Sequence, residues 1–169
     1  PNLEKFSYQS KVTCFEQKMF YYKLNLLHKN FKWYGSKITK KKHLLSPQWL
    51  RNIKSKKYPL WRIDILFSKT KYNDINFIKD GGWHFTNIKS AEKIDYKMKN
   101  FLHHLEYEER GMGVEDVRKI ISEKKIFYNH FADKKEKKWG AKINLEKEDE
   151  QYLPKYIVDN KLKFSEWLD

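Results

Sequence analysis

Apolar and polar positions first fall into a readable order at Lys11. Residues Lys11 to Gln17 and Phe20 to Leu24 are rich in Val, Thr, Phe and Tyr, which predicts two strands or one bent strand. His28 to Lys32 reads as a loop, and Trp33-Tyr34-Gly35-Ser36-Lys37-Ile38 as a short strand interrupted by a glycine. The lysine run Lys40 to Lys42 reads as a solvated loop. Ser46-Pro47 predicts a helix start, with Ser as N-cap and Pro at the first helical position, carrying Trp49, Leu50 and Ile53 inward. Pro59 precedes an apolar stretch from Leu60 to Phe67, after which Ile75 to Ile78 resumes a strand ending at Gly81-Gly82. Trp83-His84-Phe85-Thr86 returns as a strand or a tight excursion.

Farther along, the period lengthens to that of helices. Ile94, Met98, Phe101 and Leu105 recur at i, i+4, i+7 and i+11, which predicts one helix from about Ser90 to Glu109. A second is expected from about Val114 to Lys124, with Glu115 and Asp116 in its first turn and Val117, Ile120 and Ile121 on its buried stripe. Trp139 to Leu145 suggests a strand, Glu146 to Glu150 an acidic surface stretch, and Leu153-Pro154 the opening of a short helix with Tyr156 and Ile157. Strands and helices mixed in this order, without repeat or flexible linker, predict one α/β or α+β layer structure over residues 1–169, as part of a larger domain.

Composition narrows the function classes. Apolar content of 40% and six tryptophans are enough to fill a core in 169 residues. Disorder is thereby confined to short lysine runs. The net charge of +14 invites a polyanionic partner, but only Arg51, Arg62, Arg110 and Arg118 are arginines, and bidentate reading of phosphates and bases favours Arg over Lys. Nucleic acid is therefore not the expected partner. Peripheral association with an anionic membrane needs only diffuse positive charge and remains open. Cys14 is the single cysteine, which excludes an intrachain disulfide and a cysteine-based zinc site and fits a reducing compartment.

Several motifs, in order, resemble glycosyltransferase family 17, whose members add the bisecting β-1,4-linked N-acetylglucosamine to N-glycans. They are Phe15-Glu16-Gln17-Lys18-Met19-Phe20-Tyr21-Tyr22-Lys23-Leu24-Asn25, Trp33-Tyr34-Gly35-Ser36-Lys37, Ser46-Pro47-Gln48-Trp49-Leu50-Arg51, Gly82-Trp83-His84-Phe85-Thr86, a helical Phe101 with His104-Leu105-Glu106-Tyr107, and Leu153-Pro154-Lys155-Tyr156-Ile157 with Asn160. In the helical motif an extra residue stands before the histidine, so His103 is an alternative to His104. The resemblance implies the C-terminal part of a GT-A-like, Rossmann-like α/β domain. It further implies inverting transfer of N-acetylglucosamine from UDP-GlcNAc to an acceptor glycan, with Mn²⁺ or Mg²⁺ as cofactor. The family's acidic metal-binding segment ends in a proline, and Pro1 looks like that residue, so the cation's carboxylates are expected upstream. Cytoplasmic, membrane-associated and Golgi-type locations all remain compatible. A non-catalytic glycan-binding module is the alternative.

Inverting transfer needs a group that takes the acceptor hydroxyl proton and aromatic surface for a sugar face. Asp80, beside the double glycine, is the first candidate base or a turn-capping Asp. His84, also among the catalytic candidates, would complete the metal shell or hydrogen-bond the donor phosphate, against a histidine satisfied by backbone. Glu106 is the second candidate base or a solvated helix-end carboxylate, and His104 points to the cleft in the first reading. Trp83 and Trp33 would present rings, and if residues 33, 35 and 37 share a strand face Lys37 would meet a phosphate, the alternative being a core Trp33 with an exposed Lys37. Arg51 is a diphosphate ligand or a helix-end cation, and Tyr22 and Asn25 line an acceptor groove or belong to the core.

Overall fold

A computed structural model describes residues 10–100, 104–128 and 139–169. The class is mixed α/β, and the chain divides into two compact units. One comprises residues up to Lys18 with Lys32–His84, the other Met19–Phe31 with Phe85–Asp169.

In the first unit, β1 (Val12–Phe15) lies between β4 (Lys37–Thr39), antiparallel, and β5 (Ile75–Ile78), parallel in the register Val12 to Ile75 through Phe15 to Ile78. A central strand is covered on both faces, so Val12, Thr13 and Cys14 are all buried and no alternation appears. Helix α1 (Pro47–Asn52) starts as its residues dictate: Ser46 Oγ accepts the Trp49 N–H at 3.0 Å, and Pro47 occupies the first turn. Trp49 and Ile53 then join Val12, Cys14 and Ile75 in one core. Burial pushes the Cys14 thiol pKa up, against the opposing charge of Lys37.

In the second unit a core of Met19, Tyr21, Leu26, Ile94, Met98, Tyr107, Val117, Ile126 and Leu145 gathers helices α2 (Ala91–Lys99), α3 (His104–Glu109) and α4 (Val114–Ser122). Strands β2 (Gln17–Tyr21) and β3 (Leu26–Trp33) are central in a sheet of order β6-β2-β3-β9, where β6 is Trp83–Thr86 and β9 is Glu146–Lys147. Strands β7 (Lys125–Tyr128) and β8 (Trp139–Asn144) form an antiparallel pair, and α5 (Lys155–Asp159) follows. Among the described residues no helix is long and apolar enough to cross a membrane.

Three expectations change. His28 to Lys32 belongs to β3 rather than to a loop, because strand pairing uses backbone groups whatever the side chains: β3 lies between β2 and β9, the latter pairing only with Leu26 and Leu27. The single helix expected from Ser90 to Glu109 is two. Asn100 caps the first, donating its side-chain amide to the Tyr96 carbonyl at 2.7 Å, a local bond that competes with helix continuation. The register then shifts, so Leu105 is 62% exposed while Tyr107 is fully buried. Phe101 and His103 lie outside the described residues. Finally, Trp33 to Ile38 is not one strand: Trp33 ends β3, residues 34–36 are irregular, and β4 begins at Lys37.

Candidate functional site

In the first unit, two motif segments fifty residues apart in sequence meet ring to ring. Trp33, at the end of β3, stacks on His84, in β6, with centroids 4.6 Å apart and planes 28° from parallel. Gly35 makes this possible, since a Cβ there would stand 2.0 Å from Trp33 Nε1. Gly81 allows a second close approach: its N–H donates to the Glu16 carbonyl at 2.7 Å, where an added Cβ would press on Phe15 at 2.7 Å. The half-buried imidazole of His84 is desolvated, which lowers its pKa. At neutral pH it is therefore an uncharged ring able to accept a proton.

Glu16, in the break between β1 and β2, is a functional candidate that the residue-by-residue reading missed. Its carboxylate accepts from Tyr34 Oη at 2.9 Å and pairs with Lys32 Nζ at 2.7 Å. Burial acts to raise its pKa, but the bonds from Lys32 and Tyr34 and the charges of Lys32 and Lys79 outweigh it, and the pKa is lowered. Tyr34 responds in the opposite sense: burial first, then the neighbouring carboxylate, pushes its hydroxyl up to about 12. The available signal was a carboxylate interrupting the apolar run Val12-Thr13-Cys14-Phe15.

The other candidates in this unit have varied settings. Asp80 is exposed, in a turn with φ of 52°, a left-handed conformation that Asp tolerates better than most residues. Trp83 is half-buried in β6. Lys37 does not share a strand face with Trp33. Its Nζ donates to the carbonyls of Arg51 at 3.1 Å and Ile53 at 2.5 Å, filling two acceptors at the end of α1. Arg51 is exposed in the last turn of that helix, a position that suits a cation.

The second unit holds the rest. Asn25 is buried and grips Asp169, donating to its carbonyl at 3.1 Å and accepting its N–H at 2.8 Å. Tyr22, buried with φ of 62°, lines a cavity of about 360 Å³ together with Lys23, Lys89, Glu92, Arg118 and Trp167. That size lies in the range of small-molecule sites. Its arginine is engaged, however: Arg118 pairs with Glu92 and, at 2.5 Å, with Glu115. His104 and Glu106 are half-buried at the start of α3. Among the described residues no group of three or more His, Cys, Asp or Glu side chains is gathered where it could hold a metal ion.

The lowered pKa of His84 and of His28, also depressed by burial, sets a direction for acid sensitivity. As pH falls through about 6.5 the unfolded chain takes up these protons before the folded one. Stability is therefore expected to fall from pH 7 towards pH 5 and to level off once the folded imidazoles protonate too. Thermal melts across that range check it: His84→Gln should flatten the slope, and an unchanged slope would detach His84 from it. No protein-family model, curated protein or solved structure matches this chain.

Proposed function

We propose that this chain is part of an inverting glycosyltransferase of the family 17 type, moving N-acetylglucosamine from UDP-GlcNAc to an acceptor glycan through a β-1,4 linkage to mannose. The observation that carries the proposal is the convergence of the Trp33-x-Gly35 and Gly82-Trp83-His84 motifs in one stack. An indole beside an uncharged imidazole, held together because Gly35 leaves room for the Trp33 ring, suits a sugar ring and its hydroxyl proton. A Rossmann-like GT-A domain is the fold this reading assigns to the whole enzyme, of which the mixed α/β arrangement is the coarser statement.

In the proposed step an acceptor hydroxyl attacks the anomeric carbon from the face opposite UDP. The carbon–oxygen bond to the diphosphate breaks, and the hydroxyl proton passes to a base, for which His84 is the first choice here. Asp80 and Glu106 are the carboxylate alternatives. A divalent cation would neutralise the departing diphosphate. The described residues gather no ligand set for one, and none of the steps assigned to this chain uses it.

The test is transfer of labelled N-acetylglucosamine to a mannose-terminated N-glycan core by the enzyme containing this chain. Trp83→Ala and His84→Ala are each expected to lower turnover at least about tenfold, the equivalent of ~1.4 kcal/mol in the barrier. Normal turnover in both would remove this loop from the site. Glycan binding without release of UDP would instead favour the non-catalytic module.

A further inference from the structure

Between Lys54 and Tyr72 the first unit carries a loop on which large apolar side chains face solvent alongside the charged ones. Its neck is closed by backbone: the Lys54 N–H donates to the Thr70 carbonyl at 2.9 Å and the Tyr58 N–H to that of Tyr72 at 3.3 Å. Asn73 Nδ2 adds a bond to the Tyr58 carbonyl at 2.9 Å. Within the loop Asp64 accepts two bonds from Arg62, each 2.8 Å, and one from Lys71 at 2.7 Å. The Arg62 guanidinium also lies 5.3 Å from the centre of the Tyr58 ring.

Beside that pairing of Arg62, Asp64 and Lys71, the loop exposes Leu60, Trp61, Ile63, Leu66 and Phe67 by 82, 81, 71, 81 and 85%. A lone exposed apolar residue is ordinary, but five large ones within eight residues mark a surface built to be covered. Leu66 and Ile63 are held in short turns, with Leu66 N–H donating to Ile63 at 3.1 Å, so the display is fixed by backbone bonds.

Charge selects the occupant. From Lys54 to Tyr72 the sequence carries six cations, Lys54, Lys56, Lys57, Arg62, Lys69 and Lys71, against Asp64 alone. That carboxylate is already paired, and Lys54, Lys56, Lys57 and Lys69, which flank the apolar residues in sequence, are exposed. An exposed apolar stretch flanked by exposed lysines matches an anionic lipid surface, where acyl chains receive Leu, Ile and Phe, Trp settles at headgroup depth, and lysines meet phosphates. We propose that the Leu60 to Phe67 loop is a membrane-docking element that inserts peripherally into an anionic leaflet. The inference is independent of the sugar-transfer reading, since it draws on none of its residues.

Flotation of the full chain with vesicles tests it, comparing phosphatidylcholine alone with phosphatidylcholine containing about a third phosphatidylglycerol. The expected result is co-flotation with the anionic vesicles, at least about tenfold weaker for Trp61→Ser/Phe67→Ser, whose lost apolar contact removes the inserted part. Leu60→Ser/Leu66→Ser reports on the same surface independently. Acyl-brominated lipid should quench the fluorescence of the unmodified chain more than that of Trp61→Phe. Failure to float overturns the proposal, as does equal flotation of both double variants, which would make the attraction diffuse charge alone. Self-association abolished by the double variants, without vesicle binding, would assign the surface to a second copy and overturn it as well.

Discussion

Tyr107→Ala is expected to cost about 3–5 kcal/mol of the stability of the second unit, the range for deleting a large buried aromatic side chain. Tyr107 is fully buried among Ile94, Met98 and Val117, and its hydroxyl donates to Asp95 at 2.8 Å. That bond ties α3 to α2 across the break after Asn100. Removing the ring opens a cavity and takes a hydrogen bond from Asp95, a residue only 6% exposed, leaving its carboxylate the ion pair with Lys99 Nζ at 2.7 Å. Domains of this size have about 5–15 kcal/mol in all, so the loss is a large fraction. Tyr107→Phe keeps the ring and isolates the hydrogen bond, for an expected cost of ~1–3 kcal/mol. Urea unfolding of both variants is the measurement. A cost below about 1 kcal/mol for the alanine variant would mean that α3 does not pack as described.

Gly35→Ala is expected to lower sugar-transfer turnover at least about tenfold, or ~1.4 kcal/mol, by evicting Trp33 from its place over His84. The added methyl would need the space of the indole, 2.0 Å away at Nε1 and 2.6 Å at Cε2. Because Trp33 is only partly buried, its ring escapes towards solvent, and stability should suffer within the ~1–3 kcal/mol usual for overpacking. The stack is read separately by proton NMR: the upfield ring-current shift of the His84 imidazole signals should disappear in the variant. Retention of that shift and of full turnover together would show that Trp33 and His84 do not depend on Gly35.

Much of the helical structure was legible in the sequence, because it is written locally. Ser46-Pro47 announces α1 through capping chemistry alone, and Ile94, Met98 and Val117 mark buried stripes that are 0, 3 and 0% exposed. The strands were less legible, since β3 brings a polar stretch into a sheet by backbone pairing that side-chain pattern does not announce. Leu105 failed for a different reason. Asn100 caps α2, and α3 buries Tyr107 rather than Leu105, a change that hydrophobic period cannot register. At the candidate site, motif resemblance drew attention to Trp33 and His84, but their contact was not readable from residue types. Glu16 was overlooked because its partners, Lys32 and Tyr34, lie sixteen and eighteen residues away. Lys37 was assigned to phosphate because periodicity cannot show that the end of a helix offers it two carbonyls.

Cys14 also makes the first unit observable by itself. Its thiol is fully buried in β1 and held in the protonated form by that burial, so a thiol reagent can reach a reactive sulfur only after the strand comes away from its neighbours. The rate of modification then counts openings rather than collisions. Since the chain has no other cysteine, the second unit contributes no signal to such a measurement, and the opening free energy it yields is that of the strands around Cys14.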